Sequence, residues 1–347
     1  MDNEPSVPVG LIGFGLAGGV LHAPVIDAVD GLHVAAVATS RAESVRTRFP
    51  DARVVAEAGA VFGDPGVALV VIATPNQTHA PLARAGLEAG KHVVVDKPFA
   101  LDAAEAEMLV ELARERERML SVFHNRRWDG DFLTVRRLLR SGALGRVRLA
   151  QFCWDRFRPA VKQGWREEAG PGSGVFADLG PHLIDQAACL FGWPEAVSAD
   201  ILTQRGEACT DDYFDVTLHY GTTRVLLSAG TLVAAARPRF ALHGDRASFV
   251  KYGLDPQEGV LRAGGRPTDP GFGEEAPAAY GALTGGDGVA RPVATDRGDW
   301  RRFYLGVRDA VRAGAAPPVD PRDAVRALRL MARARESARE GCVLPFT

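Results

Sequence analysis

Three side chains in this sequence are of types that move protons, and each lies near a proline that restricts the backbone. Asp178 and His182 flank Pro181, and Lys97 directly precedes Pro98. A carboxylate, an imidazole and an ammonium group can together orient a hydroxyl, remove its proton and stabilise the resulting oxyanion. The sequence therefore predicts acid–base chemistry on an alcohol or carbonyl, with Lys97, Asp178 and His182 as the catalytic residues.

A glycine-rich turn near the start of the chain adds a second chemical feature. Gly13, Gly15 and Gly18 follow an apolar segment and precede a helical pattern. Glycines between a strand and a helix allow a tight turn and a close approach of the backbone to a dinucleotide pyrophosphate. Because a βαβ pattern continues after this turn, the motif indicates a dinucleotide site that would supply a hydride carrier.

The end of the second predicted strand bears on which dinucleotide binds. An NAD site usually has Asp or Glu there, about 20 residues after the glycines, to bind the ribose 2′-hydroxyl. This chain has Thr39-Ser40-Arg41 instead. These residues carry no carboxylate to repel a 2′-phosphate, and their hydroxyls and guanidinium can bind one. NADP is therefore favoured over NAD; the alternative is that Arg41 is only the solvated first residue of a helix.

The local sequence predicts how Lys97 and His182 are positioned. Lys97 follows a predicted strand over residues 92–96, whose carboxyl end would face the ligand cleft of an open α/β sheet. A helix is predicted over 181–191, since proline suits the first helical position. His182 would then lie in the first turn, where the helix dipole favours a neutral imidazole, and Asp178 could orient it. A surface lysine and a structural core histidine are the alternatives.

Composition excludes several classes of protein. The 347 residues are 46% hydrophobic and 24% charged, with a formal net charge of −2. This length predicts two domains, and the charge provides no basic surface for nucleic acid. The four widely spaced cysteines predict reduced thiols and no metal site. Because no signal peptide is found and the longest apolar run, 67–73, is too short to span a bilayer, a cytoplasmic protein without a membrane partner is predicted.

Two patterns of elements would position the chemical residues. Up to residue 123, apolar strands alternate with helices, which predicts a doubly wound parallel sheet. Its strands are expected at 9–13, 33–38, 53–55, 68–73, 92–96 and 120–123. Beyond it, a strand at 147–154 and alternating runs joined by short turns predict an α+β domain with a mostly antiparallel open sheet. Those runs are 197–202, 214–220, 225–229, 239–243 and 247–250. The Gly- and Pro-rich segment 253–294 is predicted to be an ordered excursion or a mobile loop.

The segment His22-Ala23-Pro24 interrupts the first predicted helix. An interior proline costs a helix about 3 kcal/mol. We therefore expect a break, with Pro24 near the first turn of a new segment. The sequence leaves open whether His22 reaches the active cleft or is a structural histidine.

Taken in order, these motifs resemble the glucose–fructose oxidoreductase/inositol dehydrogenase (Gfo/Idh/MocA) family. The matching segments are Gly13-Phe14-Gly15, Ala73-Thr74-Pro75-Asn76 with His79, Ala89-Gly90-Lys91-His92-Val93, Asp96-Lys97-Pro98 and residues 178–185. A branch of the family is matched by His22-Ala23-Pro24, Asn125-Arg126-Arg127-Trp128-Asp129 and residues 253–258.

The resemblance implies a Rossmann domain over residues 1–123 and a substrate-binding and oligomerisation domain over 124–347, with the last helices packing back on the first domain as an option. It implies that Lys97 is the active-site lysine, in a Lys-Pro pair whose peptide is often cis, and that Asp178 and His182 are catalytic. One departure is Asp96, where the family more often has Glu.

From the motifs and the resemblance together, the predicted cofactor-binding residues are Gly13, Phe14, Gly15, Leu16, Ala17, Thr39, Ser40, Arg41, Ala73, Thr74, Pro75, Asn76, His79, Asp96, Lys97, Asn125, Trp165 and Arg166. The predicted substrate residues are Lys97, Arg156, Arg158, Asp178 and His182. The implied function is reversible NAD(P)-dependent hydride transfer at a secondary alcohol of a sugar, inositol or related polyol, by a homodimer or homotetramer. The alternatives are a non-catalytic NAD(P)-sensing regulator of the same fold, or a redox-assisted sugar hydrolase or lyase with tightly held cofactor.

Overall fold

The computed structural model describes residues 6–161, 164 and 167–347. The predicted cofactor residues Trp165 and Arg166 therefore lie outside the described residues. Its strands are β1 Val7–Ile12, β2 Leu32–Ala38, β3 Arg53–Val55, β4 Leu69–Ile72, β5 His92–Val95, β6 Leu120–Val122, β7 Val147–Cys153, β8 Ala196–Leu202, β9 Tyr213–Tyr220, β10 Thr223–Gly230, β11 Phe240–Gly244, β12 Ala247–Lys251, β13 Gly281–Gly285, β14 Ala290–Val293 and β15 Leu344–Pro345.

The helices follow the same chain order. They are α1 Ala23–Asp27, α2 Ala42–Arg48, α3 Gly59–Phe62, α4 His79–Glu88, α5 Ala103–Glu115, α6 Gly130–Arg140, α7 Val175–Phe191, α8 Gln257–Arg262, α9 Arg301–Ala313 and α10 Pro321–Glu340. Short helical turns of other geometry lie at Ala17–His22, Asn76–Thr78, Asn125–Trp128 and Pro277–Ala279.

The chain divides into two units that are each discontinuous in sequence. The first unit consists of Met1–Trp128, Pro256–Phe272 and Asp299–Val325, and the second of Asp129–Asp255, Gly273–Gly298 and Arg326–Thr347. Each unit has its own apolar core, centred on its own sheet.

The first unit contains a parallel sheet with the strand order β3-β2-β1-β4-β5-β6. The four residues of β4 are fully buried, which is the expected composition of a strand covered on both faces. Strand order reverses between β1 and β4, and ligands of open α/β sheets bind outside the carboxyl ends of the strands at such a point. The predicted doubly wound parallel sheet is confirmed.

The second unit contains a nine-stranded sheet in the order β14-β13-β12-β11-β7-β10-β9-β8-β15. Its neighbours are antiparallel except for β7 and β10, which run parallel. Apolar side chains of this sheet, for example Phe152, Phe214 and Phe240, are fully buried in a core that includes residues of α6, α7 and α10. The predicted mostly antiparallel sheet is confirmed.

The helix that carries His182 begins earlier than the sequence predicts. α7 starts at Val175, so Pro181 lies inside it and His182 lies about two turns from its first residue. The prediction of a helix starting at Pro181 was wrong, and so was the argument that the dipole of a first turn acts on His182. A distant residue caps the true start: the Asp211 carboxylate accepts a hydrogen bond of 2.6 Å from the Phe176 amide. Pro181 removes one internal hydrogen bond, which this longer helix tolerates.

The Gly- and Pro-rich segment that follows β12 is ordered. It contains α8 and the hairpin of β13 and β14, which extends the second sheet beyond β12. The sequence predicts no strands there, because both are short and contain Gly or Pro. Pro292 is tolerated in β14 because that strand lies at the edge of the sheet.

Candidate active site

The glycine-rich turn follows β1, and its three glycines have different surroundings. A Cβ atom on Gly13, whose φ is +92°, would lie 2.6 Å from the Ala73 carbonyl oxygen, and one on Gly18 would lie 2.1 Å from the Gly13 oxygen. A Cβ on Gly15 would meet no described atom within 4 Å. Gly13 and Gly18 are thus required by close backbone packing, while Gly15 leaves room at the start of the following turn. A bound pyrophosphate needs such a tight turn with open space beside one of its glycines, so these residues fit a dinucleotide.

Thr39, Ser40 and Arg41 connect β2 to α2. The Arg41 amide donates a 3.0 Å hydrogen bond to the Thr39 hydroxyl, which forms a turn directly before the helix. The side chains of Ser40 and Arg41 are exposed. A hydroxyl and a guanidinium are therefore available at the carboxyl end of β2, where the adenosine ribose is held in this fold.

Two loops at the carboxyl ends of β4 and β5 are tied together by His79. Its Nδ1 lies 2.7 Å from the Pro98 carbonyl oxygen, and its Nε2 lies 2.9 Å from that of Thr74. The ring is buried, as is Asn76. The peptide between Lys97 and Pro98 is cis, as the family resemblance implies. Because both ring nitrogens contact backbone, His79 holds the two loops in place.

Asp96 directly follows β5 and faces two partners. Its Oδ1 accepts a 2.8 Å hydrogen bond from the Lys97 amide and lies 3.8 Å from Nε2 of His22. Burial on its own would raise the pKa of Asp96, but the contact with His22 and the charges of Lys97 and His79 bring that pKa below its usual range. Asp96 is therefore a carboxylate at neutral pH, next to the lysine predicted to be catalytic.

In the second unit, α7 carries the predicted proton acceptor in a buried aromatic setting. The His182 ring stacks on Trp154, with 5.5 Å between centroids and 29° between planes. The Arg239 guanidinium lies 5.2 Å from the Trp154 ring centroid, and it donates to the Gln186 side-chain oxygen. Trp154 thus fixes the plane of the imidazole, with a buried cation packed on the same indole.

Asp178 lies one helical turn before His182 on α7. Its Oδ2 is 3.4 Å from Nη1 of Arg156, one of the two arginines predicted to contact substrate. The other, Arg158, has an exposed side chain. Arg156 therefore orients the Asp178 carboxylate, a role that the sequence did not predict for it.

A buried ion-pair cluster anchors the loop that precedes α7. Arg205 pairs with Asp212 at 2.8 Å and with Glu167 at 2.6 Å, and its Nη1 donates to the Arg158 and Ala160 carbonyl oxygens. The side chains of Arg205 and Asp212 are 3% and 0% exposed. Burial would raise the pKa of Asp212, but hydrogen bonds from the Gln204 amide and from Arg205 lower it below its usual range.

This cluster leads to a prediction about stability. Asp212→Asn is expected to lower the free energy of unfolding by about 3 kcal/mol, because it leaves the buried Arg205 charge with one partner fewer. Glu167→Gln is the matched control and should cost less than about 1 kcal/mol, since the Glu167 side chain is 20% exposed. Urea unfolding followed by circular dichroism measures both.

The pH dependence of the difference in unfolding free energy between wild type and Asp212→Asn provides a further check. The pKa of Asp212 is lowered on folding, so its contribution is present above the unfolded-state pKa and is lost as the pH falls through the folded-state pKa. The gap between wild type and Asp212→Asn should therefore close in acid. Equal losses for the two variants at neutral pH would contradict the assignment.

Two of the three branch motifs contribute residues that meet inside the first unit. Arg126 pairs with Glu258, and its guanidinium lies 5.0 Å from the Trp300 ring centroid. The Gln257 side chain accepts from the Trp300 amide at 2.8 Å and donates to the Trp128 carbonyl at 3.2 Å. These motifs fasten α8 and α9 to the turn after β6, and that turn contains the predicted cofactor residue Asn125, which is buried.

The structure brings the predicted cofactor residues of the first unit to one edge of its sheet. They follow β1 (Gly13 to Ala17), β2 (Thr39 to Arg41), β4 (Ala73 to Asn76), β5 (Asp96 and Lys97) and β6 (Asn125). Lys97 belongs to the first unit, and Asp178 and His182 belong to the second. Trp154, Arg205 and Arg239 were missed. Trp154 and Arg239 reach their partners on α7 across a long sequence separation that leaves no local signal.

Two general properties follow from the described residues. None of the helices there is long and apolar enough to cross a membrane. Within the same part of the chain, no group of three or more His, Cys, Asp or Glu side chains is arranged to hold a metal ion.

Comparison with known proteins finds relatives that match this chain over both units. The profile of an oxidoreductase family with an NAD-binding Rossmann fold matches residues 7–124, and the profile of the C-terminal alpha/beta domain of the same family matches residues 136–346. The scyllo-inositol 2-dehydrogenase (NADP(+)) IolW of Bacillus subtilis is 41% identical over 338 residues, which cover 96% of this chain and 94% of that protein. The oxidoreductase YdgJ of Escherichia coli is 44% identical, with 98% of each chain covered.

Solved structures agree with these sequence matches. The oxidoreductase yvaA of Bacillus subtilis superimposes with a TM-score of 0.97 at 39% identity, covering 100% of both chains. An oxidoreductase of Klebsiella pneumoniae gives a TM-score of 0.92 at 42% identity, covering 99% of this chain and 96% of that one. On this evidence the chain belongs to the Gfo/Idh/MocA family of NAD(P)-dependent oxidoreductases.

Proposed function

We propose that this protein is an NADP-dependent dehydrogenase that acts on a secondary alcohol of an inositol, a sugar or a related polyol. The observation that carries the proposal is the position of Lys97. It follows β5 at the same sheet edge as the dinucleotide turn after β1. A lysine next to a nicotinamide can stabilise the substrate oxygen as it loses its proton, while the hydride leaves the carbon that bears this oxygen.

The side chains divide the proton chemistry between them. His182 accepts the hydroxyl proton, and Asp178, one turn away on α7 and held by Arg156, orients His182 and the substrate. Lys97 stabilises the developing oxyanion, and Arg158 would contact a polar substrate. When bound, the nicotinamide would supply the acceptor or donor of hydride.

The cofactor would be held mainly by backbone and by the loop after β2. The turn from Gly13 to Ala17 would hold the pyrophosphate, and Thr39, Ser40 and Arg41 would hold the ribose 2′-phosphate. Residues 73–76 would line the groove between adenine and nicotinamide, with His79 supporting that loop and Asp96 and Asn125 beside the nicotinamide. Trp165 and Arg166, by the family resemblance, would approach the nicotinamide end of the cofactor.

The relatives support an inositol as the first substrate to test. One relative with 41% identity is named a scyllo-inositol 2-dehydrogenase that uses NADP(+). We extend this chemistry to the present chain together with a cytoplasmic location and assembly as a homodimer or homotetramer. The direct test is NADP⁺ reduction by the purified protein in a screen of inositols, sugars and other polyols. No turnover with any of them would overturn the proposal, and cofactor that copurifies without exchanging would indicate the redox-assisted hydrolase or lyase.

Cofactor choice is testable at Arg41. Arg41→Ala is expected to raise the Kd for NADPH by roughly 10- to 100-fold, because a charge-assisted hydrogen bond to the 2′-phosphate contributes about 1.5–3 kcal/mol. The Kd for NADH should not change. Nucleotide fluorescence measures both constants, and Arg46→Ala, which removes another exposed arginine from α2, is the matched control. An equal loss for both nucleotides, or tighter binding of NADH by the wild type, would contradict the NADP assignment.

A further inference from the structure

A buried histidine and a buried tyrosine lie behind the turn that carries Lys97 and have no part in the chemistry proposed above. His22 Nδ1 lies 2.5 Å from the Tyr304 hydroxyl, and both side chains are fully buried. The other nitrogen, Nε2, lies 3.8 Å from Oδ1 of Asp96. That oxygen also accepts the Lys97 amide hydrogen bond of 2.8 Å. One carboxylate oxygen thus faces both the histidine and the backbone of the predicted catalytic lysine.

The backbone around His22 has an unusual geometry that directs the ring inward. Residues Ala17–His22 form a π-helical turn, in which the Ala23 amide donates to the Gly18 carbonyl five residues back. Pro24 then lies in the first turn of α1, as its position in the sequence predicts. π-Helical turns are rare and occur frequently at functional sites. This one begins within the glycine-rich turn, at Ala17, so it couples the dinucleotide loop to the placement of His22.

The surroundings of His22 determine which nitrogen carries the proton. Burial, reinforced by the negative charge of Asp96, holds the pKa of Tyr304 well above its usual value, so the hydroxyl keeps its proton and can donate to Nδ1. A neutral imidazole accepts at one nitrogen and donates at the other. The Phe123 ring packs 4.1 Å from the imidazole, centroid to centroid, and covers one face of it. The proton then resides on Nε2, which faces the Asp96 carboxylate.

We propose that Tyr304 and His22 are positioning residues for the Asp96–Lys97 turn. Tyr304 on α9 donates to His22 and fixes its Nε2–H tautomer. The Nε2–H is directed at Asp96 after β5, and Asp96 in turn holds the Lys97 amide. Among the described residues, Tyr304 and Asp96 are titratable groups that face His22, while Phe123 after β6 covers its ring. The network extends from α9 to the predicted catalytic lysine, and its effect on turnover rests on the role proposed for Lys97.

The tautomer is measured without any substrate. ¹⁵N NMR of the full chain, labelled at histidine and recorded at neutral pH, distinguishes protonated from unprotonated ring nitrogens. His22→Gln identifies the His22 signals among those of the 8 histidines by their disappearance. We expect an unprotonated Nδ1 and a protonated Nε2, and a mixture of tautomers in Tyr304→Phe. A proton on Nδ1 of the wild type, or a doubly protonated ring, would overturn the network whether or not the enzyme turns over a polyol.

Kinetics then test whether the network positions Lys97. Tyr304→Phe, which removes only the hydroxyl, should lower kcat roughly tenfold and leave the Kd for NADPH unchanged, as expected when a supporting hydrogen bond is lost. His22→Gln can keep an N–H near the position of Nε2, whereas His22→Asn places its amide near Nδ1. The Gln variant should therefore retain more kcat than the Asn variant, a difference that a merely structural role would not produce.

The matched control is another tyrosine hydroxyl. Tyr220→Phe removes a hydrogen bond of 2.9 Å to the Gly192 carbonyl and should leave kcat unchanged. If Tyr304→Phe behaves like Tyr220→Phe, or if the two His22 variants lose kcat equally, the positioning role is refuted while the proposed dehydrogenase activity stands. If the wild type turns over no polyol, the proposed activity fails, and the ¹⁵N measurement decides the network by itself.

Discussion

Lys97→Ala is expected to lower kcat/KM for the alcohol substrate by roughly 10²–10⁴-fold, the range that follows removal of a positioned acid–base group. The loss should fall on kcat, because the ammonium stabilises charge that develops only as the proton leaves. NADPH binding should persist, since the glycine-rich turn and the loop after β2 are unchanged. Steady-state kinetics and nucleotide fluorescence on the same preparation measure the two quantities.

Lys97→Arg is the informative companion variant. It retains the positive charge but presents a planar, forked group in place of a compact ammonium, so it should recover little of the lost kcat. Thermal unfolding followed by circular dichroism shows whether the variants remain folded. If Lys97→Ala loses NADPH binding together with turnover, Lys97 is a cofactor residue and the assignment of the oxyanion to it is wrong.

His182→Ala is expected to have an effect of similar size on kcat, roughly 10²–10⁴-fold. The pH profile should also change. The kcat/KM of the wild type should rise with pH as the proton acceptor loses its proton. If His182 is that acceptor, this rise should disappear in the variant. Kinetics across the stable pH range test this for any substrate that the screen identifies.

His219→Gln is the control for the loss of a histidine in the same unit. His219 lies on β9, and its ring contacts the Ser198 hydroxyl at 3.0 Å, so its replacement should leave the profile unchanged. If His182→Ala keeps the wild-type rise of kcat/KM with pH at reduced kcat, the imidazole orients the substrate and a different group accepts the proton.

The parts of the fold that could be predicted from sequence are those with strong local signals. The strands of the first unit are short and mostly apolar, and their predicted bounds agree with the structure to within about two residues. The start of α7 could not be predicted, because its cap, Asp211, comes from the turn before β9. The same limit applies to β13 and β14, which acquire partners only when the second sheet assembles.

The candidate site divides in the same way. Glycines, lysine and histidine next to Gly or Pro could be recognised because their motifs are local. The side chains that hold these residues in place could not be recognised. Trp154, which directly follows β7, stacks on His182, and Arg239, which directly precedes β11, donates to Gln186. Asp96 could be predicted only in part. Its departure from the family's usual Glu is visible in the sequence, but its contact with His22 is visible only in the fold.

The discontinuity of the first unit has a consequence for biosynthesis. Its last segment, Asp299–Val325, follows nearly the whole second unit in the chain and includes the fully buried Trp300, Phe303 and Tyr304. A ribosome therefore releases most of the second unit before the dinucleotide-binding unit can complete its core. A fragment that stops at Trp128 would contain every glycine of the nucleotide turn and still lack the aromatic residues that fill the core behind it, so it should be isolated as an unstable or aggregating polypeptide.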